Sequence, residues 1–225
     1  MTVKIQNSTR ALLIVMLTSF TFYSQAQGDW KSDKKINVLF GLTQPVLVKG
    51  FNIEGNYIHN MLIFDYSHGV SLDFSGSSVT TDLKRQGLVV HMPWTTGFGI
   101  GYRLKKWMNV RIEPKWHRFE FYYEGEPQNT ASQITSYSTF TLGIGIYGNY
   151  QPFKNNKSSL NGIIIAPSIR FWPTLSSGLV DDKYSYQNKI TGKSEEIETL
   201  NPGIGFTPFI FNVSIGYSFD IKNKK

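Results

Sequence analysis

Bulky apolar residues alternate with small or polar ones along most of this chain, and a two-residue period of that kind leaves few folds open. The run "TPFIFNVSIGYSFDI" shows it most cleanly. Phe209, Phe211, Val213, Ile215, Tyr217, Phe219 and Ile221 fall on one face, and Ile210, Asn212, Ser214, Gly216, Ser218 and Asp220 on the other. Such alternation marks a strand whose two sides meet unlike surroundings. No stretch has a convincing helical period.

Seven further segments repeat the pattern. Ile36, Val38, Phe40 and Leu42 share a face in the first, and Phe51, Ile53 and Tyr57 oppose Asn52, Glu54 and Asn56 in the second. The third sets Leu62, Phe64, Tyr66, Val70 and Leu72 against Asp65, Ser67, Gly69, Ser71 and Asp73. In the fourth, Phe98, Ile100, Tyr102 and Leu104 oppose Gly97, Gly99, Gly101 and Arg103. The fifth sets Met108, Val110, Ile112 and Trp116 against Asn109, Arg111, Glu113 and Lys115, and loses the alternation from His117 on, which predicts a bulge or an exit from the membrane. The sixth sets Phe140, Leu142, Ile144 and Ile146 against Thr139, Thr141, Gly143, Gly145 and Tyr147. The seventh sets Ile163, Ile165, Ile169 and Phe171 against Ser168 and Arg170.

Connection lengths then sort by parity. Short turns follow the second, fourth and sixth strands, and long polar stretches ("SGSSVTTDLKRQGLVVHMPW" is one) follow the third, fifth and seventh. An up-and-down barrel with an even strand number and both termini on one side requires that arrangement. The polar faces carry repeated glycines together with Glu54, Asp65, Arg103, Arg111, Glu113, Lys115 and Arg170. A water-facing strand gains little from repeated glycine, which weakens a strand. The interior of an eight-stranded barrel is just wide enough for side chains to fill it. The seven charged residues are therefore expected inside as a structural network, with Arg111 and Glu113 as partners because burial of an unpaired charge is costly. The fold class is all-β, an eight-stranded antiparallel up-and-down transmembrane β-barrel. A lipocalin-like barrel with an apolar pocket is the alternative, but its packed helix and disulfides are not readable here.

The first residues carry Lys4 and Arg10, then the apolar run "ALLIVMLTSFTF", then small Ser24 and Ala26. That order predicts a signal peptide over 1–26, a periplasmic segment over 27–34 and the barrel over 35–225. Without cysteine, no disulfide framework or thiolate metal site can form. The net charge of +7 falls to +5 once Lys4 and Arg10 are removed, and no basic block marks a nucleic-acid surface.

The signal, the eight alternating strands, the long loops and the aromatic final strand resemble the small outer-membrane barrels of OmpA type and OmpX type and their Bacteroidetes-like relatives. The resemblance covers the mature chain and rests on pattern. It implies the outer membrane of a Gram-negative bacterium with periplasmic termini, and lipid and lipopolysaccharide as neighbours. It also implies Tyr217 and Phe219 as the signal read by the barrel-assembly machinery, although "KNKK" follows where the family ends on Phe. The long loops would carry any extracellular ligand and a structural or surface-interaction role.

No catalytic, cofactor or metal residue is assigned. Lipid A deacylase barrels place a His and a Ser two residues apart on a lipid-facing strand, whereas Ser67 and His68 are adjacent and point to opposite faces. The alternations "GFGIGY" and "GIGIYG" have no following helix and so are not nucleotide loops. Trp94, Trp107, Trp116, Tyr150 and Trp172 are expected as interfacial girdles. A lipid-modifying enzyme (lipid A deacylase or acyltransferase type) and a narrow pore are the alternative functions.

Overall fold

The computed structural model describes residues 32–221. The expected signal segment and residues 27–31 lie outside the described residues. The strands are β1 (Lys34–Gly41), β2 (Phe51–His59), β3 (Leu62–Phe74), β4 (Leu88–Lys105), β5 (Met108–Tyr123), β6 (Thr135–Gly148), β7 (Ile163–Phe171), β8 (Thr174–Ser177), β9 (Lys183–Gln187), β10 (Ser194–Glu198) and β11 (Phe209–Asp220). Two five-residue helices, α1 (Thr43–Leu47) and α2 (Thr81–Arg85), lie between strands. From β1 to β7 each strand pairs antiparallel with the next, and β11 pairs with both β7 and β1. Eight strands thus close into a ring. Beyond Trp172 and Pro173, β8 takes up pairing with β6 where β7 stops. The β9–β10 hairpin pairs only with itself.

The two faces of the ladder are unlike. Val38, Ile53, Phe98, Ile100, Ile144, Ile169 and Phe211 stand exposed on the outer wall, while Asn37, Glu54, Asn56, Asp65, Arg111 and Ser168 are buried inside. Where the ladder is closed it satisfies its backbone internally, which is what lipid demands of a spanning structure. Bulky outside and polar inside is the opposite of the lipocalin arrangement.

The outer wall can be tested directly because the chain has no cysteine. Val213 is exposed and its neighbour Asn212 is buried. A fluorophore on Val213→Cys in vesicles is expected to be quenched by chain-brominated lipid, and the same probe on Asn212→Cys to be shielded. Fast aqueous labelling of Asn212→Cys beside a bromine-insensitive Val213→Cys would reverse the orientation.

Near the loop end the two faces exchange character. Phe74, Leu88, Val90, Met92, Phe119, Phe121 and Tyr137 point inward and are buried, whereas Asp73, His91, Arg118 and Glu120 are only partly buried. The strands reach this exchange in two ways. In β3 and β4 the apolar residues keep their sequence phase, and the backbone shifts instead. Ser71 has φ 52°, and β4 carries an extra residue relative to β5 between His91 and Thr95. Leu72 therefore turns inward, contrary to the expectation that it faces out with Leu62 and Phe64. In β5 the backbone pairs with β6 without interruption from Met108 to Phe121. Here the chemistry changes along one face, from Lys115 and His117 to Phe119 and Phe121. The predicted loss of alternation is an inversion of it, with the bulge on β4 rather than β5. Residues 88–94, expected in a loop, belong to β4 because their apolar members line this upper core.

Candidate functional site

The inward faces of β2, β3, β5 and β7 bring most of the expected charged residues together. All seven are at most 5% exposed. Arg111 is the hub: its Nη1 donates to Glu54 at 2.5 Å and to Asp65 at 3.3 Å, and its Nε donates to Asn109 at 2.8 Å. Asn56 ties the group further, donating to Glu54 at 2.7 Å and accepting from Arg111 Nη2 at 3.3 Å. Arg170 lies 3.8 Å from Glu54. Glu113 is not the ion-pair partner of Arg111. It accepts instead from the Tyr147 hydroxyl and from Trp172 Nε1. Arg103 stands apart near the turn end, donating to Asp33 at 3.2 Å and to the Asn60 carbonyl at 3.0 Å.

Two aromatic rings that sequence reasoning did not place in this site complete it. The Arg111 guanidinium lies 4.0 Å from the Tyr147 ring centroid, and Arg170 lies 5.0 Å from both Tyr147 and Trp172. The Lys115 ammonium lies 4.2 Å from the Trp172 ring centroid. Cation, ring, cation, ring and cation thus alternate across the lumen, each contact strengthened by exclusion of water. Trp172 is buried and is no interfacial girdle; its parity with Ser168 and Arg170 on the seventh strand was the available signal. Trp116 and Tyr150, by contrast, are exposed on the wall.

The glycine alternations make room for these long side chains. A Cβ on Gly99 would meet the Asp65 carboxylate, and one on Gly143 would collide with the Trp172 ring. Gly143→Ala is therefore expected to destabilise the barrel by about 1–3 kcal/mol through overpacking. Gly55→Ala, where nothing lies within 4 Å of the added atom, is expected to be near neutral. Urea midpoints of refolded protein check both.

Above the lumen, loops are locked onto the inverted core. Thr80 caps α2 by accepting from the Leu83 amide, and Leu83 is buried in that core. Gln86 accepts from Tyr186 at 2.8 Å, and its carbonyl accepts from Asn188 at 2.9 Å. Arg85 grips Glu195 through two bonds of 2.7 and 2.9 Å. Hydrogen bonding from Arg85 holds the Glu195 carboxyl below the usual glutamate range. A depressed carboxyl stabilises its pair above the unfolded pKa and loses it as pH falls through the folded one. Protease nicking of the β9–β10 hairpin is therefore expected to stay low at neutral pH and to rise only below the ordinary glutamate range. A flat profile would show that Arg85 and Glu195 do not hold it.

The residues weighed for catalysis do not assemble into a nucleophile and base. Ser67 is buried inside while His68 faces outward. His117 has both ring nitrogens on threonine hydroxyls, Thr95 at 2.8 Å and Thr141 at 2.9 Å. His91 pairs with Asp73 at 2.5 Å on the outside of the upper wall. No cluster of three or more His, Asp or Glu residues suited to a metal occurs among the described residues.

The closed ladder, the apolar belt and the charged lumen place the chain among known folds. It is similar in fold to the small outer-membrane β-barrels. Ail, the attachment invasion locus protein of Yersinia pestis, is 10% identical with a TM-score of 0.41, the match covering 83% of this chain and 99% of that one. A major outer membrane protein from Thermus thermophilus is 11% identical with a TM-score of 0.45 and the same coverage. No protein-family model matches the sequence. No curated protein matches it either.

Proposed function

We propose that this is an integral outer-membrane barrel of a Gram-negative bacterium, with periplasmic termini and a surface-interaction or structural role carried by its loop end. One observation supports this above others: the loop half of the wall has an apolar core inside and polar residues outside. It is a water-soluble platform standing on a lipid-facing base. The Arg85–Glu195 grip and the buried Leu83, Ile197 and Leu200 hold its loops in one arrangement. Ordered loops on a rigid scaffold are the usual carriers of recognition. Tyr217 and Phe219, with ring centroids 4.7 Å apart near the turn end of β11, are read here as the assembly signal.

The lumen network supports a structural rather than conducting role, because Arg111, Tyr147, Arg170 and Trp172 stack across the lumen and would obstruct an ion. Lys193, exposed in the β9–β10 turn, provides the test. Lys193→Cys on intact cells is expected to react with a membrane-impermeant maleimide, and purified protein in planar bilayers to give no stepwise conductance. Labelling only after cell disruption would overturn the orientation, and steady conductance would favour the pore. An altered lipid A acyl pattern in a deletion strain would favour the enzyme.

A further inference from the structure

The barrel wall has a notch. The β1–β11 ladder ends at Gly41 and Ser214, and the β1–β2 ladder ends at Phe40 and Ile53. Yet β11 runs on to Phe209 and β2 to Phe51. In the gap the chain leaves β1 as α1, which packs against both β11 and β2. Backbone pairing continues as far as Val213, whose carbonyl accepts from the Leu42 amide at 2.9 Å and whose amide is met by the Thr43 hydroxyl at 3.3 Å; past it the helix does not replace a strand. Behind the notch lies a cavity of about 340 Å³. That is at the small end of the range for ligand sites.

The walls of this cavity differ in kind. Its exposed lining includes Leu47 on α1, Phe209 and Phe211 on β11, and Ile204 before β11, all apolar, and this side is taken as its mouth. Its upper wall is Leu72, Phe74 and Met92 from the inverted core. Its inner end reaches Lys115 and Arg170, and no carboxylate lines it. Lys115 is 2% exposed; its ammonium hydrogen bonds to the Ser67 hydroxyl and has no carboxylate within 4.0 Å among the described residues, the Glu113 carboxylate acting on it from farther away. A buried ammonium has three donors to satisfy. Serine and the face of Trp172 satisfy part of that demand. An anion at the inner end would satisfy the rest.

We infer that the notch admits a single-chain anionic amphiphile, a long-chain carboxylate, from the membrane leaflet at the loop end. Its head would lie at Lys115 and Arg170 and its tail would run past Phe209 and Phe211 into lipid. The chemistry follows from the order of the walls. A free small anion would gain nothing from the apolar mouth, and an uncharged chain would leave the two cations as they are. A carboxylate with an alkyl tail meets both. A two-chained lipid does not suit a cavity this small with one charged end.

Palmitate isotope-labelled at its carboxyl carbon, added to the refolded chain in phosphatidylcholine nanodiscs, tests this by NMR. The expected result is a saturable carboxyl resonance distinct from that of membrane-dissolved palmitate, which hexadecanol and inorganic phosphate do not displace. Lys115→Met should weaken it roughly tenfold or more, the scale of losing a charged hydrogen-bond partner. Leu47→Glu, on exposed α1, places a repelling charge at the mouth and should weaken it too; it decides the matter if Lys115→Met does not fold. Only the membrane-dissolved resonance, or binding indifferent to both variants, overturns the proposal. Displacement by phosphate alone would reduce the site to a simple anion site, and displacement by hexadecanol to a greasy crevice. Either also overturns it.

Discussion

Arg111→Met is expected to lower the unfolding free energy in phospholipid vesicles by about 3–5 kcal/mol, since it leaves buried carboxylates without their counter-charge. Glu54 and Asp65 both depend on that guanidinium, at 2.5 and 3.3 Å. Arg170, at 3.8 Å from Glu54, cannot take over without giving up its place beside Trp172. Glu54→Gln alone should also destabilise. The pair Arg111→Met with Glu54→Gln should cost less than the sum of the two, because the second change removes a charge that the first stranded. Additive losses in a urea double-mutant cycle would show that the two do not depend on each other. The same cycle run with Glu113 is expected to show weaker coupling, since Glu113 leans on Tyr147 and Trp172.

Phe119→Ala is expected to be as damaging, at about 3–5 kcal/mol for a large side chain removed from a packed core, but in a different place. Phe119 is fully buried and stacks on Tyr137 with ring centroids 5.5 Å apart. Tyr137 in turn donates to the Glu198 carbonyl and accepts from the Leu200 amide, so its position fixes the strand end of the hairpin. Hydrogen exchange should therefore quicken in α2 and in β9–β10, while amides of β1, β2 and the lower half of β11 stay protected. Uniform loosening of the whole barrel would mean that the upper core and the spanning wall melt as one unit.

Much of the wall was legible because lipid on one side and a crowded lumen on the other force a period of two on every strand. The seven charged residues share the parity of the buried inner face, and so, in retrospect, do Tyr147 and Trp172. An aromatic among glycines and threonines on the sixth strand, and another in phase with Ser168 and Arg170, are out of character for a polar face. Pairing within the lumen was not legible. Arg111 and Glu113 share a strand face, yet the arginine reaches across to β2 and β3, because partners in a barrel are set by strand stagger rather than by nearness in sequence. The upper core was hidden for another reason. Apolar residues there keep the phase of the spanning pattern in β3 and β4, and only an unusual backbone at Ser71 and the extra residue in β4 turn them inward. The notch at α1 had no sequence signal beyond the brief connection "PVLVK" and its apolar residues.

The exchange of faces has a consequence for where such a chain can reside. Its upper boundary is fixed covalently, at Ser71 on β3, at the extra residue of β4, and between His117 and Phe119 on β5. A thicker bilayer would bring acyl chains against Arg118, Glu120 and Asp73, and the wall cannot shift its pattern to accommodate them. Mismatch of this kind is met by local thinning of the lipid, at a modest cost for each ångström. The protein is thus matched to one hydrocarbon thickness and would thin any thicker bilayer around itself.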